Sequence, residues 1–448
     1  MKLTLEKIAE FTGGSVRGNK EITVRNASID SRKLEPDCLF IALKGERTDG
    51  HLYIDQAFAS GAAAALTIRD LYPGNSGAVV ETDDTAVAMG RIAAGILRER
   101  GDSVFKIAVT GSVGKTSTKD MVASVIGGHY ITLKSELNQN NELGLPLTVM
   151  RLDETHEALV TEMGMRGLGQ IEYLTKIVRP DVAIITNIGI SHLETLGTRE
   201  NILRAKLEIC KGMRPGGKLI LNGDNDMLSD EALVQAILEE YGADAIETVY
   251  FGTEENSAYR AENIHGSSYE LFTPSGQHFA VRLRVPGVHN VYNSMAAVCA
   301  ANALGISSEE AVDTLSQFGE EASRQKIVET PWGFVIDDTY NAGPESMAAS
   351  LGVLRDMDAD IKIAALGDML ELGVLSEESH RKVGRLASEA AGVLLAVGPQ
   401  SVIYYDTFDG LRKMHVSDSS EGARVLSPII RDYAQRGLKV GVLVKGSH

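Results

Sequence analysis

The order of apolar segments in the sequence predicts an α/β protein of three domains. Short apolar runs alternate with amphipathic stretches of helical length from Lys106 onward, and the same alternation restarts near Phe334. Strands of about four to six residues separated by helix-length spacers are typical of a parallel sheet with helices on both faces. A chain of 448 residues is also longer than a single core normally organises.

We divide the chain into a small mixed α/β domain at 1–100, a central parallel-sheet domain at 101–318 and a Rossmann-like domain at 319–448. In the first domain, the alanine-rich stretch 57–65 predicts a helix. The central strands are KIAVTG, ALVTEMG, VAIITNIG and KLILNGDN, followed by a predicted hairpin at 269–287 and a closing helix. The strands of the third domain are FVIDD, IKIAALGD, GVLLAVGP and KVGVLVKG.

Composition and charge exclude several classes of protein. The net charge of -17 opposes binding of nucleic acid over a broad surface, so an anionic ligand needs a local pocket. No apolar run approaches the roughly 18 residues of a membrane span, and charges interrupt the amino terminus where a signal peptide needs an apolar stretch. We therefore expect a cytoplasmic protein without membrane insertion. Cys38, Cys210 and Cys299 lack metal-ligand spacing and lie among apolar neighbours, which predicts buried, reduced thiols.

The stretch IAVTGSVGKTS at 107–117 has the features of a phosphate-binding loop. A predicted strand leads into a glycine turn, and a helix follows near Thr116. Backbone N–H groups of such a turn hold phosphate oxygens, Lys115 reaches the outer phosphates, and the Thr116 hydroxyl can bind Mg²⁺. Only two residues separate Gly111 from Gly114, where the common loop has four. A strand-to-helix turn with an exposed lysine is the structural alternative.

Glu162 and His192 follow two further predicted strands of the central sheet. Open α/β sheets bind ligands at the carboxyl ends of their strands, so both side chains are candidates for a second Mg²⁺ site or for orienting a reacting group. Either residue alone is as easily structural. A phosphate loop does not by itself name a reaction, although the absence of an Asn-Lys-x-Asp motif disfavours a GTPase.

Lys206 is predicted to lie on the apolar face of a helix. With 100° per residue, Leu203, Leu207 and Cys210 lie on the same arc as Lys206, while Glu208 lies on the opposite, polar face. A lysine that faces a core must snorkel, pair with an anion or lose its charge. A neutral amine can react with CO₂ to give an anionic carbamate. Snorkelling remains the alternative at this stage.

Taken together, the motifs resemble the Mur ligase family, the ATP-dependent amide ligases of cell-wall precursor synthesis. The resemblance covers essentially the whole chain and rests on DSR at 30–32, TGSVGKTS, NQNNELGLP from Asn138, TNIGISHLE, HNVYNSMAA from His289, DDTYNAGPESM from Asp337, LGDMLELG from Leu366 and the final KGS. The last three motifs favour the member that joins D-alanyl-D-alanine to UDP-N-acetylmuramoyl-tripeptide. Family members use ATP to phosphorylate the peptide carboxylate, and the incoming amine then displaces phosphate from the acyl phosphate.

The resemblance also implies a role for each matching residue. The implied catalytic residues are Lys115, Glu162, His192 and Lys206, with Thr116, Glu162, His192 and a carbamylated Lys206 as magnesium ligands. The implied ATP-binding residues are Gly111, Ser112, Gly114, Lys115, Thr116, Ser117, Asn290, Arg324 and Asp338. Ser31 and Arg32 would bind the uridine diphosphate group, and Asn141 and Asn341 would line the peptide and dipeptide region. We also expect a monomer.

Two alternatives come from other classes of function. A folylpolyglutamate-type or cyanophycin-type ligase would keep the chemistry and change the substrates, but the first hundred residues argue against it. A non-catalytic nucleotide sensor would keep the phosphate loop and would need neither Glu162, His192 nor Lys206.

Overall fold

The computed structural model describes residues 1–46, 48–136, 138–243, 245–319 and 325–447. It confirms an α/β fold built from parallel and mixed sheets. Each larger sheet lies within one of the three segments proposed from the sequence, while the boundary positions themselves remain a proposal.

The amino-terminal segment forms a sheet with the strand order β2-β7-β6-β5-β4 and a small β1-β3 ribbon. Strands β4 to β7 are parallel, and β2 is antiparallel to β7. The elements are β1 (Leu3–Thr4), α1 (Leu5–Thr12), β2 (Ser15–Arg17), β3 (Thr23–Val24), β4 (Asn26–Ser28), β5 (Cys38–Ile41), α2 (Ile54–Ala59), β6 (Ala64–Ile68), β7 (Val79–Thr82) and α3 (Thr85–Arg100).

The helix predicted over 57–65 is wrong in its second half. Helix α2 ends at Ala59, and the chain turns at Gly61, whose φ of 101° favours glycine. Ala64 and Ala65 then belong to β6, where they are fully buried between β5 and β7. Alanine is the best helix former, but burial within the sheet outweighs that preference here.

The central segment forms a sheet with the strand order β16-β15-β14-β13-β12-β11-β8-β10-β9. Strands β8 to β14 are parallel, and β14, β15 and β16 are antiparallel, which confirms the predicted hairpin. The elements are β8 (Phe105–Thr110), α4 (Lys115–Gly127), β9 (Thr132–Lys134), α5 (Gly144–Met150), β10 (Ala158–Glu162), α6 (Gln170–Val178), β11 (Val182–Ile185), α7 (Leu193–Leu196), α8 (Arg199–Leu207), β12 (Lys218–Asn222), α9 (Glu231–Glu240), β13 (Glu247–Gly252), β14 (Tyr259–His265), β15 (Ser268–Phe272), β16 (His278–Arg282), α10 (Val288–Ala303) and α11 (Ser308–Gln317).

The carboxyl-terminal segment forms a sheet with the strand order β17-β18-β22-β19-β20-β21. Strand β17 is antiparallel to β18, and the other strands are parallel. The elements are β17 (Lys326–Thr330), β18 (Gly333–Asp337), α12 (Pro344–Asp356), β19 (Ile361–Gly367), α13 (Ser376–Ala390), β20 (Val393–Val397), α14 (Val402–Thr407), β21 (Arg412–Val416), α15 (Ser419–Gln435) and β22 (Val440–Lys445).

The first two segments share a hydrophobic core. Side chains of α1 and α3 belong to the same buried cluster as side chains of α5, α6 and β10. Gly90 of α3 lies against Tyr173 of α6, since a Cβ at Gly90 would come within 2.1 Å of the tyrosine hydroxyl. The three cysteines are free and buried, as predicted. Among the described residues, no helix combines the length and the apolar character that crossing a membrane requires.

Candidate active site

A cleft of about 1130 Å³ lies at the carboxyl end of β8, and all three segments line it. Strand β8 has β10 on one side and β11 on the other, which is where an open α/β sheet binds its ligand. The walls include Ala86 and Val87 of α3, the loop at 111–117, and Asp338, Glu345 and Lys445 of the carboxyl-terminal segment.

Residues 111–116 form the turn between β8 and α4. At two positions in this turn, the backbone conformation is one that only glycine adopts without strain. Gly111 has a φ of 149° and Gly114 a φ of 82°. A Cβ at Gly111 would lie 1.9 Å from Thr186 Oγ1, so the position also lacks room for a side chain. Helix α4 begins at Lys115, and its amino-terminal N–H groups therefore face the cleft. We call residues 111–116 the phosphate loop.

The end of β11 holds the phosphate loop in place. Asn187 Oδ1 accepts hydrogen bonds from the backbone N–H groups of Ser112 (3.1 Å) and Val113 (3.0 Å). Thr186 Oγ1 donates to the Val113 carbonyl at 2.6 Å, and the Gly189 N–H donates to Ser112 Oγ at 2.8 Å. Sequence reasoning missed this supporting role, although the polar residues directly after a strand that neighbours β8 could have indicated it.

Lys115 extends across the loop that precedes it. Its ammonium donates to the carbonyl of Gly111 at 2.8 Å and to that of Ser112 at 3.1 Å. The ammonium is thereby held beside the amino terminus of α4. The ammonium charge and the positive end of the helix dipole both favour binding of an anion there.

Thr116 and Glu162 meet at the base of the cleft. The Thr116 hydroxyl donates to Glu162 Oε2 at 2.5 Å, and Asn140 Nδ2 donates to Glu162 Oε1 at 2.8 Å. The glutamate is 2% exposed. A hydroxyl and a buried carboxylate are the hard oxygen ligands that Mg²⁺ prefers, so this pair fits the ion that the family uses. Within the described ranges, no three His, Cys, Asp or Glu side chains form a metal-binding cluster.

Lys206 faces the cleft and is 1% exposed, which confirms that it lies on the buried face of α8. Burial holds the pKa of its amine well below the ordinary lysine value, and the charge of Lys115 lowers it further. In the described part of the chain, no side chain or carbonyl forms a hydrogen bond with this amine. The structure therefore favours a neutral amine over a snorkelling ammonium.

The prediction for Glu208 is wrong. It was expected on the polar face of the Lys206 helix, but its carboxylate is 3% exposed. Helix α8 ends at Leu207 and a tighter 3₁₀ turn follows, which rotates Glu208 toward α6. The two carboxylate oxygens accept the N–H groups of Gly169 (2.7 Å) and Glu172 (3.2 Å) at the start of α6. Burial raises the pKa of this carboxyl.

His192 connects the central and carboxyl-terminal segments. It has a φ of 66°, and its Nδ1 lies 3.0 Å from Glu371 Oε2. Burial and then the charge of Lys206 lower the pKa of the imidazole, and Glu371 partly offsets them. Lys115 and Lys206 both lower the pKa of His192 electrostatically, so the two amines and the imidazole lie in the same part of the cleft.

Asp338, Asn341 and Asn141 also line the cleft. Asp338 Oδ2 accepts hydrogen bonds from the Lys445 ammonium (2.7 Å) and the Ser350 hydroxyl (2.6 Å). Asn341 Oδ1 accepts the N–H of Ala342 at 2.9 Å, and Asn141 Oδ1 accepts the N–H of Gly144 at 2.8 Å, at the start of α5. Lys445 was not singled out as a functional residue from the sequence.

Other predicted site residues lie elsewhere. Arg32 is exposed and forms a bidentate ion pair with Asp30, and Ser31 lies in the same turn. Neither belongs to the described wall of the cleft. Asn290 is buried in the first turn of α10, where its amide donates to the Pro286 carbonyl at 2.8 Å. Arg324 lies outside the described residues.

Models of Mur ligase domains match most of the chain. The Mur ligase family catalytic domain matches residues 23–95, the Mur ligase middle domain matches 109–301, and the Mur ligase glutamate ligase domain matches 323–448. The chain belongs to the Mur ligase family.

Several members of the family are similar to the chain over most of its length. It is 36% identical to the UDP-N-acetylmuramoyl-tripeptide--D-alanyl-D-alanine ligase of Bacillus subtilis, over 99% of this chain and 98% of that protein. A crystal structure of MurF from Acinetobacter baumannii superposes with a TM-score of 0.90 at 32% identity, over 100% of this chain and 96% of that one. The MurF ligase of Thermotoga maritima in complex with ADP gives a TM-score of 0.79 at 28% identity, over 95% and 94% of the two chains.

Proposed function

We propose that this chain uses ATP to join D-alanyl-D-alanine to the carboxylate of UDP-N-acetylmuramoyl-tripeptide. The observation that carries the proposal is the cleft that residues of all three segments line, in a chain that aligns over 99% of its length with a ligase of that name. We place the reaction in the cytoplasm and expect a monomer to carry it out.

The phosphate loop binds the triphosphate. Backbone N–H groups of residues 111–116 and the amino terminus of α4 hold phosphate oxygens, and Lys115 supplies a positive charge. Ser117 extends the same turn. Mg²⁺, with Thr116 and Glu162 as ligands, would offset phosphate charge when bound. We assign the remaining nucleotide contacts to Asn290, Arg324 and Asp338; Asp338 would share its carboxylate with Lys445.

Amide formation then proceeds in two steps. An oxygen of the peptide carboxylate attacks the γ-phosphorus, and the bond to the ADP oxygen breaks. The amine nitrogen of the dipeptide next attacks the acyl carbon, loses a proton, and phosphate leaves. Negative charge accumulates in both steps, and the Lys115 ammonium and the N–H groups at the amino terminus of α4 stabilise it.

We further propose that Lys206 is carbamylated. Its buried, neutral amine can form an N–C bond to CO₂ and release a proton, which replaces a neutral amine by an anionic carbamate. The carbamate and His192 would then supply oxygen and nitrogen ligands for a second Mg²⁺. Ser31 and Arg32 would bind the uridine diphosphate group, and Asn141 and Asn341 would contact the peptide and the dipeptide.

Phosphate release with each precursor in turn tests the activity. We expect release only when ATP, the UDP-muramoyl tripeptide and D-alanyl-D-alanine are all present, together with a product whose mass equals the two pieces minus water. Phosphate release that continues when one or both of the precursors are left out would favour a nucleotide-sensing role. Ligation of glutamate to a folate in place of this product would identify a folylpolyglutamate-type enzyme.

A further inference from the structure

Glu345 is a cleft residue with no role in the mechanism above. It is the second residue of α12, and one of its carboxylate oxygens, Oε2, is shut off from solvent. Among the described residues, none donates a hydrogen bond to that oxygen. Leaving a buried acceptor unpaired is costly, so an orphaned carboxylate oxygen on a cleft wall indicates a partner that the protein itself does not supply.

The position of this carboxylate is fixed by the opposite wall. Glu345 Oε1 accepts the backbone N–H of Ile190 at 3.2 Å. Gly189 leaves the space for this contact, since a Cβ there would lie 2.5 Å from Oε1. Ser191 and His192 follow directly along the chain and also line the cleft. One oxygen is thus anchored across the cleft, and the other is buried without a hydrogen-bond partner among the described residues, so a ligand reaches it only when the facing walls shift.

Among the described residues, none forms an ion pair with Glu345. Arg199 is a nearby cation, but its two terminal nitrogens are paired with Asp226 at 2.6 Å, and its buried Nε has no partner in the described part of the chain. Glu345 lies in the first turn of α12, where the helix dipole favours a negative charge. Other carboxylates of the cleft have partners: Glu162 pairs with Thr116 and Asn140, Asp338 with Lys445, and Glu371 with His192.

We infer that Glu345 binds the ammonium group of the incoming dipeptide and positions its nitrogen, which attacks the acyl phosphate after the ammonium has released a proton to water. The inference rests on the proposed function and deepens it. The triphosphate and the peptide carboxylate are anions, and the amine is the one reacting group that arrives as a cation. A charge-assisted hydrogen bond to Oε2 would satisfy the orphaned acceptor and orient the nitrogen toward the acyl phosphate.

The variant Glu345→Gln tests the inference, because glutamine keeps the Oε1 acceptor for Ile190 and removes the charge. We expect the KM for D-alanyl-D-alanine to rise about 10- to 100-fold, while the KM values for ATP and for the UDP-tripeptide stay within about twofold. Glu378→Gln is the matched control, since Glu378 is an exposed glutamate in the first turn of α13, outside the described cleft wall. Equal melting temperatures would show that both variants fold.

A second measurement isolates the ammonium group. Propionyl-D-alanine has the shape of the dipeptide but carries hydrogen in place of the amino group, and we expect its inhibition constant to be the same in the wild type and in Glu345→Gln. Two results would overturn the inference while leaving the proposed function intact. One is an equal loss of affinity in Glu345→Gln for D-alanyl-D-alanine and for propionyl-D-alanine, and the other is an unchanged KM for D-alanyl-D-alanine. Absence of ligation by the wild type would overturn the proposed function itself.

Discussion

Lys206 carries an amine on a long, flexible side chain, yet the residue is 1% exposed. A lysine normally keeps its ammonium in water by extending its stem, and the packing of α8 prevents that here. Burial and the neighbouring Lys115 charge both lower the pKa of the amine. A group in this state is a nucleophile toward CO₂ at neutral pH, which a surface lysine is not.

Replacing Lys206 should therefore remove an anion and not a cation. We expect Lys206→Ala to lose most ligase activity and to regain part of it with a short-chain carboxylate, which would occupy the place of the missing carbamate. The measurement is phosphate release with and without added acetate. Lys211→Ala is the matched control, since Lys211 follows on the same segment and pairs with Glu172 outside the described cleft wall. Full activity of Lys206→Ala without acetate would contradict a carbamate role.

At the scale of single elements, the phosphate loop depends on its first glycine. Gly111→Ala would introduce a methyl group 1.9 Å from Thr186 Oγ1 at a φ of 149°, so the loop must shift. We expect a loss of ATP affinity of at least tenfold and a destabilisation of about 1–3 kcal/mol. Gly127→Ala is the control, because Gly127 is helical and no atom lies within 4 Å of the added carbon. Nucleotide titration calorimetry and urea unfolding check both variants, and unchanged affinity in Gly111→Ala would refute the role of the loop.

The first turn of α10 contains a histidine that resists protonation. Burial lowers the pKa of His289 to about 4. The unfolded chain, with an ordinary pKa near 6.5, binds this proton more readily than the folded chain does. The contribution of His289 to stability is therefore complete above about pH 6.5, and it is lost as the pH falls toward 4.

The pH dependence of unfolding tests this shift. Between pH 7 and pH 4 we expect His289 to account for up to about 3 kcal/mol of the lost stability. In His289→Gln the free energy of unfolding should fall less over the same range, because glutamine does not titrate. Urea unfolding of both proteins at several pH values gives the comparison, and parallel curves would contradict the lowered pKa.

The sequence predicts a strand correctly where a buried strand forms a separate apolar run. KIAVTG, VAIITNIG and KVGVLVKG became β8, β11 and β22 because strands covered on both faces are apolar throughout. The stretch 57–65 misled because alanine favours helices locally, whereas its second half lies in a sheet. Glu208 misled because a helical wheel assumes that α8 continues, and it ends one residue earlier.

The candidate site was predictable only where a motif carries its own chemistry. Lys115, Thr116 and Glu162 could be placed together because strand ends meet at one edge of the sheet. The contact between Glu345 and Ile190 could not be predicted, since it joins two separately folded segments across the cleft. Neither residue type nor spacing along the chain encodes how such segments dock.

For the whole molecule, the segments join by different means. The amino-terminal and central segments share one apolar core, whereas His192 with Glu371 and Ile190 with Glu345 are polar contacts between the central and carboxyl-terminal segments. Polar contacts across a cleft are easily exchanged for contacts with ligands. We therefore expect the carboxyl-terminal segment to move when substrates bind, while the first two segments stay together.

We expect the segments to bind different substrates. We expect Arg32→Ala to raise the KM for the UDP-tripeptide at least fivefold, because the variant lacks the guanidinium that we propose binds the diphosphate, and to leave the KM for ATP unchanged. Lys33→Ala, at the exposed neighbouring position, is the control. Steady-state kinetics with each substrate varied in turn makes the measurement. Equal changes in both KM values would contradict a separate uridine diphosphate site in the amino-terminal segment.

Strand β22 lies between β18 and β19, although it is made more than seventy residues after them on the ribosome. Until β22 is synthesised, β18 and β19 each have an edge without a hydrogen-bonded partner strand. Such exposed edges can pair with strands of other nascent chains. Lys445 reaches the cleft in the same late step. Translation that stops before Val440 would thus release a chain whose third sheet lacks its inner strand and whose cleft lacks Lys445.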